Sequence, residues 1–445
     1  MSTTSSTVDT SRSSVSTKIF LIVAIFSLPI GVLAYLLAAN YTPQIESAQT
    51  ELSGNAVQKP LMTVLYGLLS SKNILEGCDS GTCGAELAKQ AAVVSASLDA
   101  ARTQNAQYSA ELKTTDEELT KKDHKDLTFD ALQAEWKGLS SATSNLATAA
   151  VRSELAGGYE RMAGQVKQLV SYIGDSSNLI LDPDLDSYYL VDVTLLGLPE
   201  AITHIDKTAA LASKLIAGGG NAVDQFALSN ESDLLQQSVD RITASNRTTF
   251  DADAANHGVS PTLQPRLGAA LKQYQSSMGS YLVTLKTVAA GSSQASASTM
   301  AAQAAGAQKA TLDYWNTGAA ELDTLLNMRI SDFQTGRIQA LGYSALAVVI
   351  ATIIAIALGR SITKPLQELV RNLGPGATLL GVSVERIAEA SQSKTPSPEE
   401  AAIICEELNA HAENMRSAVL ELARHVEGSS AASRLVGEST GPAHS

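Results

Sequence analysis

Residues Ile338–Gly359 read IQALGYSALAVVIATIIAIALG, and the basic segment Arg360-Ser361-Ile362-Thr363-Lys364-Pro365-Leu366 follows directly. The apolar run contains no charged residue. At the rise of an α-helix, about 22 residues reach about 33 Å, enough to cross a hydrocarbon core. A core helix of a soluble protein would carry a polar stripe, and this run has none. It is read as a membrane helix at 338–359.

A second charge-free run, Ile19–Ala39, lies near the N-terminus behind Lys18 and includes Pro29. It is longer than the apolar core of a signal peptide, and no small-x-small cleavage site follows it. It is read as a retained membrane helix at 18–39. Arg12 and Lys18 precede the first span, whereas Arg360, Lys364 and Arg371 follow the second. Basic flanks stay inside. Both termini are therefore expected in the cytoplasm, with 40–337 outside; Arg337 is a minority vote against that orientation.

The chain has 445 residues, of which 44% are hydrophobic and only 4% aromatic. Alanine, serine and leucine dominate, which suits long helices rather than sheets. The fold class expected is all-α. The net charge of −13 argues against nucleic acid as a partner, since phosphates would be repelled. No phosphate-binding glycine loop and no catalytic constellation is present, so neither an enzyme nor a cofactor is expected. Cys78 and Cys83 lie in GCDSGTCG outside the membrane, where oxidation favours a small disulfide loop. Cys405 sits alone on the cytoplasmic side.

Punctuation divides 40–337 into about six helices. The first continues from the membrane through Ser71, and the second runs near Glu86–Leu112. The polar run Thr114–Lys125 reads as a connection or a helix end. A long helix is expected over Thr128–Ile173, weakest at Gly157-Gly158. Another follows Asp186 and stops at Gly218-Gly219-Gly220. Two more cover Ala222–Asn246 and Thr262–Ala289. The last begins near Ser293 and enters the second span. A single four-helix bundle needs about half this length, so two stacked bundles are expected.

One motif stands out: SNLILDPDLDSYYLVDVTLLGLPE, Ser177–Glu200. Asp182, Asp184 and Asp186 alternate as a calcium loop begins, but its glycine is missing and Val193 stands where the closing glutamate belongs. The motif reads better as a helix start, with Pro183 breaking the chain, Asp184 or Asp186 capping, and Tyr188 and Tyr189 pointing inward at a bundle junction.

Beyond the second span, Leu366, Val370, Leu373, Ala377, Leu380, Val384, Ile387 and Ser391 alternate at spacings of four and three, interrupted only by a kink expected at Pro375. A break at 392–398 (QSKTPSP) precedes a second seam of Ala401, Cys405, Leu408, Ala412, Met415, Val419, Leu422 and Val426. The two runs are predicted to fold back as a hairpin, and two chains would give a four-helix coiled coil.

The Ser177–Glu200 motif resembles a segment of the large helical sensing domains of bacterial chemoreceptors. Arg360–Leu366 resembles the start of the post-membrane signal-converting helix of such receptors, the HAMP-like element. Gly376–Gln392 and Glu406–Leu422 are similar to the two ends of the cytoplasmic domain of methyl-accepting chemotaxis proteins. What that family has between them is missing here, including the hairpin tip that contacts the chemotaxis kinase and its coupling protein. The resemblance implies a homodimeric transmembrane sensor of small molecules with a bimodular helical outer domain. By analogy it makes Glu399, Glu400, Glu406 and Glu407 the methylation candidates. It does not identify the ligand. The domains expected are thus a disordered tail at 1–17, spans at 18–39 and 338–359, and a sensor at 40–337. They are followed by a post-membrane coil at 360–391, a break at 392–398, a C-terminal coil at 399–427 and a disordered tail at 428–445. The missing tip supports a rival reading, a signalling-deficient receptor or a membrane adaptor that works through coiled-coil partners.

Overall fold

The computed structural model describes residues 15–77, 83–143, 146, 148–291, 296–392, 398–399 and most of 402–420. Among these residues about 90% are helical and none is in a strand, so the all-α class holds. The tails at 1–14 and 428–445, Cys78, Glu400, most of the 392–398 break and much of the second seam lie outside the described residues.

Up to Gln392 the described residues form, in order, α1 (Val15–Glu76), α2 (Gly84–Tyr108), α3 (Asp116–Lys121), α4 (Phe129–Ala142), α5 (Ala149–Ser176), α6 (Leu185–Val191), α7 (Leu198–Ile216), α8 (Ala222–Ala252), α9 (Gly268–Ala289) and α10 (Ala297–Gln392). The chain divides into two compact units, Leu37–Gln339 and Met1–Leu36 with Ala340–Ser445. Among the described residues, two helices are long and apolar enough to cross a membrane, over Val23–Glu76 and Ala297–Ser361. Their apolar stretches are almost wholly unburied, with Leu28, Leu33 and Leu36 exposed in α1 and Leu346, Ile350, Ile353 and Leu358 in α10. Leucines in that state are not core residues of the unit that carries them. The helix assignment of α10 passes through Pro375 without interruption.

Within Leu37–Gln339 the breaks fall where side chains can cap. Thr115, Thr128 and Thr148 accept backbone N–H groups at the starts of α3, α4 and α5, and Asn221 with Asp224 forms a capping box on α8. The long helix expected over Thr128–Ile173 is two helices. It breaks in the Ser/Thr/Asn run before Thr148, whereas Gly157-Gly158 lies inside α5. Gly158 serves another purpose: a Cβ there would run into the side chain of Leu139, so the missing side chain lets α4 and α5 approach. The polar run after Thr114, expected as a connection or a helix end, holds a short capped helix of its own, α3.

The buried side chains form one contiguous cluster from Val57 to Leu326, with Trp315, Tyr159, Tyr274, Tyr281 and Tyr314 among its largest members. A smaller cluster of Ile45, Ala48 and Ile330 joins α1 to α10, with Tyr41 and Phe333 against it. A π-helical turn at Asp192–Gly197 leads into α7, and the Trp315 indole N–H donates to its Thr194 carbonyl at 2.6 Å.

Gly54 on α1 shows how tightly the Ser177–Glu200 motif is seated. A Cβ at position 54 would lie 2.5 Å from the Cβ of fully buried Ser177. Helix propensity favours alanine by about 1 kcal/mol, but overpacking a filled site costs about 1–3 kcal/mol. The clash is with a Cβ, which cannot rotate away, so Gly54→Ala should lower the unfolding midpoint. Gly164→Ala in α5, where nothing lies within 4 Å, should raise it. A thermal melt that ranked the two variants the other way would contradict this packing.

Candidate functional site

The sequence motif folds around one buried arginine that sequence reading had not singled out. Asn178 adopts a left-handed conformation (φ 65°) and ends the turn after α5; a short 3-10 turn, Leu179–Leu181, then brings Asp182 to Pro183. Proline holds the residue before it extended. Asp182 Oδ1 accepts from the Asp184 amide at 2.9 Å, from the Ser187 hydroxyl at 2.9 Å and from Arg329 Nη2 at 2.5 Å. Arg329 comes from α10, 147 residues away. Its Nη1 donates to Glu51 Oε2 of α1 at 2.8 Å, and its Nη2 also meets the Ser187 hydroxyl at 2.5 Å. Its Nε lies 2.5 Å from Asp184 Oδ2 as an ion pair that lacks hydrogen-bond geometry. The side chains of Arg329, Glu51 and Asp182 are 3%, 2% and 0% exposed.

Asp184 carries the network outward. His257 Nε2 lies 3.1 Å from Asp184 Oδ2 and its Nδ1 lies 2.9 Å from Asp332 Oδ2, while its ring packs edge-on against Phe333. One guanidinium therefore faces three carboxylates, with Asp186 buried close by. Burial, reinforced by Asp182, pushes the Glu51 carboxyl up to about 7 despite Arg329. Burial also raises Asp182 and Asp186. Arg329 is raised because its carboxylates outweigh its burial, which alone would lower it. One turn further along α1, Asn55 donates to Asp323 Oδ1 at 2.7 Å and to the Ala319 carbonyl at 2.8 Å, and Lys59 pairs with Asp323. Helices α1 and α10 are thus tied at two levels within this unit.

Several expected roles change. Asp184 occupies the N-cap position of α6 but makes no capping bond, because its carboxylate faces Arg329 and His257. Asp186 accepts from the Ser187 amide at 2.8 Å and from Asn256 at 3.1 Å. Asp182 is the residue that organises the turn. Tyr188 does not point inward; it is exposed, half-buried Tyr189 packs edge-on against it at 5.3 Å, and Pro183 is exposed too. No group of three or more His, Cys, Asp or Glu side chains with a metal-binding arrangement occurs among the described residues. Cys83 is disulfide-bonded, Cys405 is free and exposed, and Cys78 lies outside the described residues. Glu399, Glu406 and Glu407 are exposed.

A second charged centre, also unforeseen, surrounds Lys72 of α1. Its ammonium donates to Asp206 Oδ2 of α7 at 2.6 Å; Glu76 and Glu160 lie 3.6 and 3.8 Å away. Lys72 and Asp206 are 7% and 3% exposed. Two clefts meet at this lysine, one of about 490 Å³ against α5 and one of about 310 Å³ against α7 and α8.

Comparison with protein-family models, with curated proteins and with solved structures returns no match for this chain. The sequence did hold a faint signal for the Arg329 centre. Leu322, Leu326 and Arg329 share one helical face, as do Ala48, Glu51 and Asn55, so a charge stands in each case where an apolar residue belongs. No spacing rule could say that the two charges meet.

Proposed function

We propose that the chain is a transmembrane sensory receptor of the chemotaxis type, a homodimer in the bacterial inner membrane with both termini cytoplasmic. Its helical outer domain, in a stacked bimodular arrangement, takes a small molecule. A displacement of α1 against α10 carries the signal to a cytoplasmic coiled coil, where Glu399, Glu400, Glu406 and Glu407 are candidates for methylation. The observation that carries this reading is the Arg329–Glu51 pair. It joins the same two helices that hold the apolar stretches, and it anchors both to the Asp182–Asp184 turn. A buried ionic lock of this kind has discrete arrangements rather than a continuum, which a relay between two helices needs.

Two experiments test it. On intact cells, a membrane-impermeant maleimide should label Arg247→Cys, whose native side chain is 86% exposed, and should spare Cys405. The reverse pattern would invert the topology and remove the outer sensor. Second, residues 1–371 joined to the intact signalling hairpin of a working chemoreceptor should give kinase output that changes with an added solute. A chimera that inserts and supports basal kinase activity, yet answers no solute, would favour the rival reading. In that reading the chain is a signalling-deficient receptor or adaptor acting through coiled-coil partners, as the missing kinase-contacting tip suggests.

A further inference from the structure

The cleft of about 490 Å³ between α1 and α5 is lined by charges of both signs whose partners are incomplete. Lys72 has three ammonium donors, and only Asp206 accepts at hydrogen-bond distance. Arg152, on the α5 wall, donates Nη1 to the Leu146 carbonyl at 3.1 Å and has no carboxylate partner among the described residues. Glu76 faces it from α1, and Glu160 lies on the α5 wall itself, about two turns beyond Arg152; they are 32% and 60% exposed, each beyond hydrogen-bond reach of Lys72. Burial, with Asp206 and Glu160 nearby, holds the Glu76 carboxyl above its ordinary range, so an added cation would be welcome there. The volume lies in the range of small-molecule sites, about 300–1,000 Å³.

Each simple class of ligand satisfies only half of this wall. A plain carboxylate would engage Arg152 and meet the two glutamates unfavourably. A plain amine would engage the glutamates and leave Arg152 without a counter-ion. A molecule with a carboxylate and an ammonium a few bonds apart satisfies both. We propose that this cleft binds a free α-amino acid, its carboxylate on Arg152 and its ammonium on Glu76 and Glu160, with Lys72 and Asp206 fixing the floor. The proposal deepens the receptor reading and rests on it for the outward placement of the cleft.

The test uses the full chain in lipid nanodiscs, titrated calorimetrically with each proteinogenic L-amino acid. Any binder is then compared with its deaminated acid and its decarboxylated amine. At least one amino acid should bind, and both analogues should bind at least ~10-fold more weakly, the scale of one lost charge-assisted bond. Arg152→Met should weaken binding at least ~10-fold with the unfolding midpoint unchanged, and Glu160→Gln several-fold. The proposal is overturned if no amino acid binds, if the deaminated acid binds equally well, or if affinity survives Arg152→Met. In that last case the ligand sits elsewhere and the receptor reading stands. A chimera that answers no solute would instead remove the receptor reading, whatever this cleft binds.

Discussion

Arg329→Met should lower the unfolding midpoint of the chain by about 10 °C. The side chain that leaves is the guanidinium that faces Glu51, Asp182 and Asp184, and two of those carboxylates are almost fully buried. Removing one partner of a buried ionic group typically costs about 3–5 kcal/mol, because the charges left behind stay desolvated. For a domain of this size each kcal/mol moves the midpoint by about 2–4 °C. Arg329→Lys should recover only part of the loss, since an ammonium cannot present the forked donors that reach Glu51 and Asp182 together. The double variant Glu51→Gln/Arg329→Met should be more stable than Arg329→Met alone, because one orphaned charge is gone. Arg102→Met provides the contrast. Its pair with Asp130 is 48% and 66% exposed, and its loss should cost less than about 1 kcal/mol. Circular dichroism melts of these variants decide the matter; if Arg329→Met melts within about 3 °C of the parent, the centre does not hold the fold together.

Such a centre explains what could be read from the sequence and what could not. The two apolar runs, the glycine stop at 218–220 and the helix starts at Thr128 and Ala222 all lie in local chemistry, and local chemistry is legible. The break before Thr148 was missed because glycines weigh heavily in a linear reading. Gly158 is small for a tertiary reason, the approach of Leu139. The motif at Ser177–Glu200 is recognisable as unusual, yet Asp184 or Asp186 reads as a cap because capping is the local use of aspartate. Asp182 meets Arg329 from 147 residues away, and Asp184 meets His257 from 73 residues away. Lys72 and Asp206 are separated by 134 residues; Lys72 interrupts the apolar row Leu61, Leu65, Leu68 and Leu75, which marks an inward charge without saying what it meets. Pairings between distant helices are set by packing, which sequence periodicity constrains only to a face.

The same centre predicts an unusual dependence on pH. The ordinary glutamate value is 4.5, and burial, with Asp182 adding to it, raises Glu51 in the folded chain to about 7. Arg329 and the Ser47 hydroxyl oppose that rise without cancelling it. A carboxyl raised on folding binds its proton more tightly in the folded state. Its contribution to stability is therefore fully present below about pH 4.5, and it is lost as pH climbs through about 7. A shift of this size corresponds to about 3 kcal/mol. Asp182 and Asp186 are raised in the same sense and add to the slope from a lower starting value. The chain should accordingly melt higher near pH 5.5 than near pH 8, opposite to a fold whose carboxylates are stabilised by their ion pairs. Glu51→Gln mimics the protonated form. It should flatten most of that slope and raise the midpoint at pH 8, while changing little near pH 5. A variant as steep in pH as the parent would show that the proton is held elsewhere. A variant less stable than the parent at pH 8 would show that the Glu51 charge is needed by Arg329 rather than in excess around it.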